Sequence, residues 1–177
     1  MCSSDLISAA AGSLAWMLIE WFKHGKPSVL GIVTGMVAGL GTITPASGYV
    51  GPVGALCIGL AAGVVCYFAT QTIKRTLKID DSLDVFPVHG VGGILGTMLA
   101  GVFISEQFGG AGFAEGVTMG SQLTTQAIGV VATVVWCAVA TFVLLKLTQV
   151  LVGLRVTSDI ETEGLDLAEH DERGYIL

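Results

Sequence analysis

His89 is the residue whose type and position most strongly suggest chemistry in this sequence. No aspartate, glutamate, lysine or arginine lies between Asp84 and Glu106, and His89 falls near the start of that run. An ionisable group inside a membrane span is costly and usually faces a cavity or the interior of a helical bundle. A neutral imidazole is less costly to bury than a charge. The position therefore predicts a residue of a permeation pathway, a partner in a structural hydrogen bond, or an interfacial residue without a specific role.

Asp84 stands directly before the same run and fits two roles. As an N-cap, its carboxylate would accept hydrogen bonds from free amides of the first helical turn and would meet the positive end of the helix dipole. Pro87 would then lie in the first turn, where its missing N–H costs little. The same carboxylate could instead line a polar vestibule. We therefore expect Asp84 to be a helix cap or a vestibule residue.

Other kinds of site find little support in the sequence. It contains no nucleophile–base pair, no phosphate-binding loop and no pair of carboxylates inside an apolar run. The cysteines form no CxxC pair, and Cys57, Cys66 and Cys137 lie in apolar runs, which is typical of packing residues. The sequence thus predicts no enzyme, no metal site and no cofactor.

The elements that carry these residues are predicted from the scarcity of charge. Of the 177 residues, 53% are hydrophobic and only 12% are charged, whereas soluble domains carry about 25% charged residues. No charged side chain lies between Lys26 and Lys74, or between Glu115 and Lys146. Because a spanning helix needs about 20 mostly apolar residues, we expect an all-α, polytopic helical bundle in a lipid bilayer. A net charge of −6 argues against nucleic acid as a partner.

Turn residues and charges divide the chain into five predicted spans and a tail. Small residues recur every fourth position on the middle spans, as at Gly35 and Gly39, and predict close helix packing. Residues 151–177 hold half of the fourteen acidic residues and form the predicted tail. The predicted spans cover residues 7–22, 28–44, 52–73, 85–104 and 121–150.

The basic residues predict the orientation. Those between the spans or after them, from Lys23 to Arg173, all fall on one side of the predicted bundle. Cytoplasmic loops carry the excess of lysine and arginine. We therefore expect the amino terminus of this segment outside the cell and the carboxyl terminus in the cytoplasm.

Several segments resemble one family in the same order along the chain. The segment around His89, DVFPVHGVGG at 84–93, closely resembles a motif of the ammonium transporter family, which includes the Amt, Mep and Rh proteins. The segments GTITPASGYV at 41–50 and GFAEGVTMG at 112–120 are similar to the same family, as are tail segments at 152–156, 163–166 and 170–172. The resemblance begins at about Ile7 or Ser8, so residues 1–6 form a non-matching start.

The resemblance implies a fold and a set of pathway residues. Family members usually have eleven spans, built as two inverted five-span halves and a final helix, and this chain resembles the last five. His89 would be the second of two paired pore histidines. Val85 would line the narrow lumen one turn away, and Thr44 would border it. The first histidine would belong to an amino-terminal half that this sequence does not contain.

The same resemblance implies a function and partners. It implies transport of ammonium or ammonia across the inner (plasma) membrane by a homotrimer, with a PII-type regulatory protein as a partner at the cytoplasmic face. Two alternatives stay open: an ammonium-sensing receptor of the same fold, and an Rh-type gas channel for ammonia or carbon dioxide. The bacterial-type tail favours Amt over Rh.

Overall fold

The computed structural model describes residues 2–173, which contain helices and no strand. The chain divides into two compact units, with the boundary between Val131 and Ala132. The predicted all-α, multi-pass architecture is confirmed. The helices are α1 (Cys2–His24), α2 (Val29–Ile43), α3 (Pro52–Gln71), α4 (Gly92–Phe103), α5 (Met119–Leu151), α6 (Ser158–Glu163) and α7 (Leu165–His170).

Four helical segments of the described residues are long and apolar enough to cross a membrane. They cover Val29–Ala46, Pro52–Thr76, Phe86–Phe103 and Met119–Leu151. Two of them include π-helical turns, at Thr72–Thr76 and Phe86–Val91, and the first ends in a 3₁₀ turn at Thr44–Ala46. Each corresponds to a predicted span.

α1, the remaining predicted span, is not among these four segments. Its serines and acidic residues lower its apolar character, and some of them bind neighbouring helices. The Ser8 hydroxyl donates to the carbonyl of Gly39 over 2.9 Å, and the Ser13 hydroxyl donates to the carbonyl of Ile32 over 3.1 Å. α1 thus uses polar groups to pack against α2, and its crossing of the membrane stays a prediction.

Glycines allow the helices of the first unit to approach closely, as the sequence predicts. A Cβ on Gly63 of α3 would lie 2.6 Å from the carbonyl oxygen of Gly12 in α1, and a Cβ on Gly35 of α2 would lie 2.6 Å from the Cβ of Trp16. Real Cβ atoms do not approach this closely, so larger residues would force the backbones apart. Two buried clusters fill the remaining space, one around Ile43 and Ile58 and the other around Trp16 and Tyr67.

The second unit contains the latter part of α5 and the tail. α6 and α7 are joined by Gly164, whose φ of 104° lies in the region that favours glycine. The amide of Glu172 donates to the carbonyl of Asp166 over 2.9 Å and closes the end of α7. The predicted tail therefore contains two short helices, and its last four residues, 174–177, lie outside the described residues.

Candidate functional site

The π-helical turn Phe86–Val91 carries the candidate histidine directly into α4. Pro87 and Val88 are buried on its inner side, whereas Val85 is 52% exposed and His89 is also exposed. Pro87 lacks an N–H, so a distortion of the helix at this residue breaks no hydrogen bond from its backbone. π-Helical turns are rare and are frequent at functional sites. The turn thus anchors itself with apolar residues and leaves Val85 and His89 on an open face.

The His89 ring lies beside α2 at Gly41. A Cβ on Gly41 would be 3.7 Å from His89 Nδ1, an ordinary van der Waals distance. Gly41 therefore leaves room next to the imidazole. An alanine at this position would not clash with the ring. Pro45, four residues later, has no N–H to donate to the Gly41 carbonyl.

Thr44 lies one turn beyond Gly41, where α2 changes to the 3₁₀ turn. Its hydroxyl donates to the Leu40 carbonyl over 2.7 Å, and the residue is exposed. His89, Val85 and Thr44, the three predicted pathway residues, are thus all exposed, and the elements that carry them meet at Gly41.

α4 is held against α2 and α3 by the glycines that follow His89. A Cβ on Gly92 would lie 2.8 Å from Thr42 Oγ1 and 3.3 Å from Cys66 Sγ. A Cβ on Gly96 would lie 2.7 Å from the carbonyl carbon of Thr42. These contacts determine where α4 lies along the axis of α2, and they therefore also determine the position of His89.

Asp84 lies two residues before the π-helical turn, and its carboxylate does not cap the helix. Asp81 does so instead: the Val85 amide donates to Asp81 Oδ1 over 2.9 Å and the Phe86 amide to Asp81 Oδ2 over 2.8 Å. Asp84 adopts a φ of 57°, which turns the chain into the helix. The cap role predicted for its side chain is therefore filled by Asp81, three residues earlier.

The Asp84 carboxylate forms an ion pair with Lys74. Lys74 Nζ lies 2.8 Å from Asp84 Oδ1, and the two side chains are 37% and 18% exposed. Lys74 also donates to the Ser82 carbonyl over 3.5 Å. The end of α3 is thus tied to the loop that leads into the His89 turn.

A polar cavity of about 240 Å³ lies at this end of the first unit. Asp84 borders it, and the three predicted pathway residues do not; the vestibule role of Asp84 stays a prediction. Thr70 also borders the cavity, and its buried hydroxyl has no hydrogen-bond partner among the described residues. Its other polar lining residues are Glu20, Ser28, Thr34, Gln71, Lys74 and Arg75.

Glu20 links α1 to α2 beside the same cavity. Its carboxylate accepts from the Ser28 amide over 2.7 Å, from the Ser28 hydroxyl over 3.0 Å and from Trp16 Nε1 over 3.1 Å. Glu20 is therefore a hydrogen-bond acceptor at the start of α2.

No group of three or more histidine, cysteine, aspartate or glutamate residues that could hold a metal ion occurs in residues 2–173. Beside His89, the exposed residues at this turn are Val85 and Phe86.

Comparison with known proteins gives a single family. A family model described as Ammonium Transporter Family matches residues 1–175. The match thus includes residues 1–6, which the sequence resemblance left outside the family pattern.

Curated relatives agree with the family match. The ammonium transporter Amt1 of Archaeoglobus fulgidus is 44% identical over 171 residues, covering 95% of this chain and 42% of the relative. An ammonium transporter of Bacillus subtilis is 39% identical over 170 residues, covering 95% and 42%. The chain thus spans about two-fifths of the length of these relatives.

Solved structures show the same fold. A protein described as Sensor Amt Protein superimposes with a TM-score of 0.85 at 31% identity, covering 95% of this chain and 41% of that chain. Candida albicans Mep2 superimposes with a TM-score of 0.78 at 34% identity, covering 89% and 36%.

Proposed function

We propose that this chain, which belongs to the ammonium transporter family, is the carboxyl-terminal part of a longer protein that conducts ammonium or ammonia across a membrane. The proposal includes a pathway lined by His89, Val85 and Thr44. The proposed activity is transport and not catalysis.

The exposed face around His89 carries this proposal. His89 sits in a π-helical turn against Gly41, with Pro87 and Val88 buried behind it and Val85 exposed beside it. An exposed imidazole among apolar residues of a membrane bundle needs a lumen or a partner, because lipid offers it no hydrogen bond. A second half of the protein that covers this face would enclose a narrow, mostly apolar pathway with the imidazole in its wall.

The selectivity of such a pathway follows from hydration and protonation. A narrow apolar lumen rejects hydrated cations because removing their water is costly. Potassium cannot reduce that cost, whereas ammonium can transfer a proton to water at the entrance of the pathway and pass as ammonia. The His89 ring would exchange hydrogen bonds with the passing molecule, and the apolar Val85 side chain would exclude water beside it.

The positions of the basic residues support a cytoplasmic location for this end of the bundle. Lys23 Nζ lies 4.5 Å from the centre of the Phe68 ring near the end of α3, and Lys74 and Arg75 border the cavity that Glu20 lines. The carboxyl terminus of the chain would also lie in the cytoplasm, by the excess of basic residues on that side. We further propose the plasma membrane as the location, a homotrimer as the assembly and a PII-type protein as a cytoplasmic partner.

A receptor that senses ammonium is the second candidate. The close superposition on a protein described as a sensor favours it. The two candidates differ in whether ammonium that binds is also released on the other side.

The test is transport by the full-length protein in liposomes, with His89→Ala as the variant. We expect ammonium-dependent flux in the parent, and a loss of flux or of selectivity over potassium in His89→Ala. Unchanged flux and selectivity in the variant would remove His89 from the pathway. Binding of ammonium without flux in the parent would favour the receptor.

A further inference from the structure

Lys74 holds the loop before the His89 turn by two contacts from outside that loop. Lys74 Nζ lies 2.8 Å from Asp84 Oδ1 and 3.5 Å from the carbonyl oxygen of Ser82. Lys74 itself is fixed in the π-helical turn Thr72–Thr76, which continues α3. One side chain thus joins the end of one span to the start of the next.

The loop that Lys74 holds is under local strain. Lys78 and Asp84 have φ values of 52° and 57°, a left-handed conformation that residues other than glycine adopt infrequently. Asp84 must keep this conformation for Val85 to start the helix, and the Val88 amide donates to the Asp84 carbonyl over 3.0 Å in the first turn. The ion pair is the only one among residues 2–173, and it holds the residue whose backbone sets the direction of the helix.

We propose that Lys74 is a positioning residue for the permeation pathway, acting through Asp84 on Val85 and His89. The inference deepens the proposed function and rests on it. Asp81 caps the same turn from within the loop, but it cannot tie the loop to α3. Lys74 does so, and it therefore determines where the start of the turn lies relative to α2 and Gly41.

The neighbouring Arg75 provides a matched control. It lies on the same π-helical turn, carries the same charge and borders the same cavity, yet it forms no ion pair in the described part of the chain. Neutralising Arg75 changes the electrostatic potential at this end of the bundle about as much as neutralising Lys74. A difference between the two variants therefore reports the contact with Asp84 and Ser82.

The experiment measures flux in liposomes as a function of ammonium concentration, using the full-length protein. We expect Lys74→Gln to lower the maximal rate by about tenfold, since small displacements of pathway groups are costly, and Arg75→Gln to leave it near that of the parent. Lys74→Arg should restore most of the rate because it keeps the ion pair. In a His89→Ala background, Lys74→Gln should lower the maximal rate by a much smaller factor than it does in the parent, because both changes act on the same turn. If Lys74→Gln acted only through a general loss of stability, its effect on the maximal rate would instead add to the effect of His89→Ala.

Two further measurements keep the test decisive. The double variant Lys74→Gln/Asp84→Asn leaves no unpaired charge, so it should fold and still transport slowly; transport at the parental rate would overturn the proposal. Position is measured directly as the rate at which a thiol reagent modifies Val85→Cys, in a background whose native cysteines are replaced. Lys74→Gln should change this rate and Arg75→Gln should not, whether or not the protein transports ammonium. A parent without flux overturns the proposed function, whereas equal modification rates overturn the role of Lys74.

Discussion

Gly39 and Gly41 offer a matched test of the packing around α2, because they lie two residues apart and face different neighbours. In Gly39→Ala, the new Cβ would lie 2.9 Å from the carbonyl carbon of Ser8 and 3.1 Å from the Cα of Ala9. Both atoms belong to the backbone of α1 and cannot rotate away. α1 and α2 would have to separate by several tenths of an ångström.

The cost of Gly39→Ala can be worked out from these contacts. Overpacking of a tight interface costs about 1–3 kcal/mol. The buried hydrogen bond from Ser8 Oγ to the Gly39 carbonyl, 2.9 Å long, would weaken by up to about 1 kcal/mol. Replacing glycine by alanine in a helix returns about 0.5–1 kcal/mol. We therefore expect Gly39→Ala to lower the free energy of unfolding by about 1–3 kcal/mol.

Gly41→Ala should behave in the opposite way. Its Cβ would meet His89 Nδ1 and the Val88 carbonyl oxygen at 3.7 Å, without a clash. The helix gains about 0.5–1 kcal/mol from the lost flexibility of glycine. The methyl group, however, occupies space beside the imidazole, so flux should fall while stability is kept or increased.

The assay compares both variants with the parent, by thermal unfolding in detergent and by ammonium flux in liposomes. Gly39→Ala should unfold at a lower temperature than Gly41→Ala, and Gly41→Ala should be as stable as the parent and slower in transport. Equal unfolding temperatures for the two variants would refute the packing argument. Parental flux in Gly41→Ala would show that the space beside His89 is not part of the pathway.

Three further predictions concern single features of the chain. Residues 1–177 alone, reconstituted in liposomes, should conduct no ammonium because the face around His89 lacks an opposite wall; selective ammonium-dependent current would contradict this. Glu20→Gln should lower the free energy of unfolding by about 1 kcal/mol, since the carboxylate accepts from Trp16 and Ser28, and it should shift the tryptophan fluorescence; unchanged unfolding would show that the neutral amide serves as well. Asp81→Ala should lower the free energy of unfolding by about 1 kcal/mol, because the helix loses its cap. Denaturant unfolding measures this effect, with Asp80→Ala as the control, and equal effects of the two variants would argue against the cap.

The sequence predicts the four long apolar helical segments because their signals are local. The absence of charge between Lys26 and Lys74 is visible in the sequence, and so is the recurrence of glycine at positions such as Gly35 and Gly39. The structure confirms the packing role of both glycines through contacts with α1. The position of His89 near the start of a span is likewise a matter of counting along the chain.

The polar contacts at the helix ends are less accessible to sequence reasoning. Three aspartates, Asp80, Asp81 and Asp84, precede the same helix, and spacing favours the last as its cap. The loop conformation instead turns Asp84 towards Lys74 and brings Asp81 under the first amides. Glu20 is a similar case, because its donors on Ser28 come close only after α1 and α2 have packed. The sequence shows only that several acidic residues lie beside a span. It does not specify which groups these residues bind.

The two sides of the His89 turn explain why this face requires a cover. Pro87 and Val88 are buried against the other helices, whereas Val85 and Phe86 are 52% and 60% exposed and His89 is exposed beside them. Lipid would satisfy the apolar side chains of that face, but it would leave the imidazole without a hydrogen-bond partner. Water would satisfy the imidazole, but it would leave a large apolar patch exposed. A protein wall set a small distance away would resolve both problems, because it would exclude lipid and bulk water and leave a narrow space beside His89.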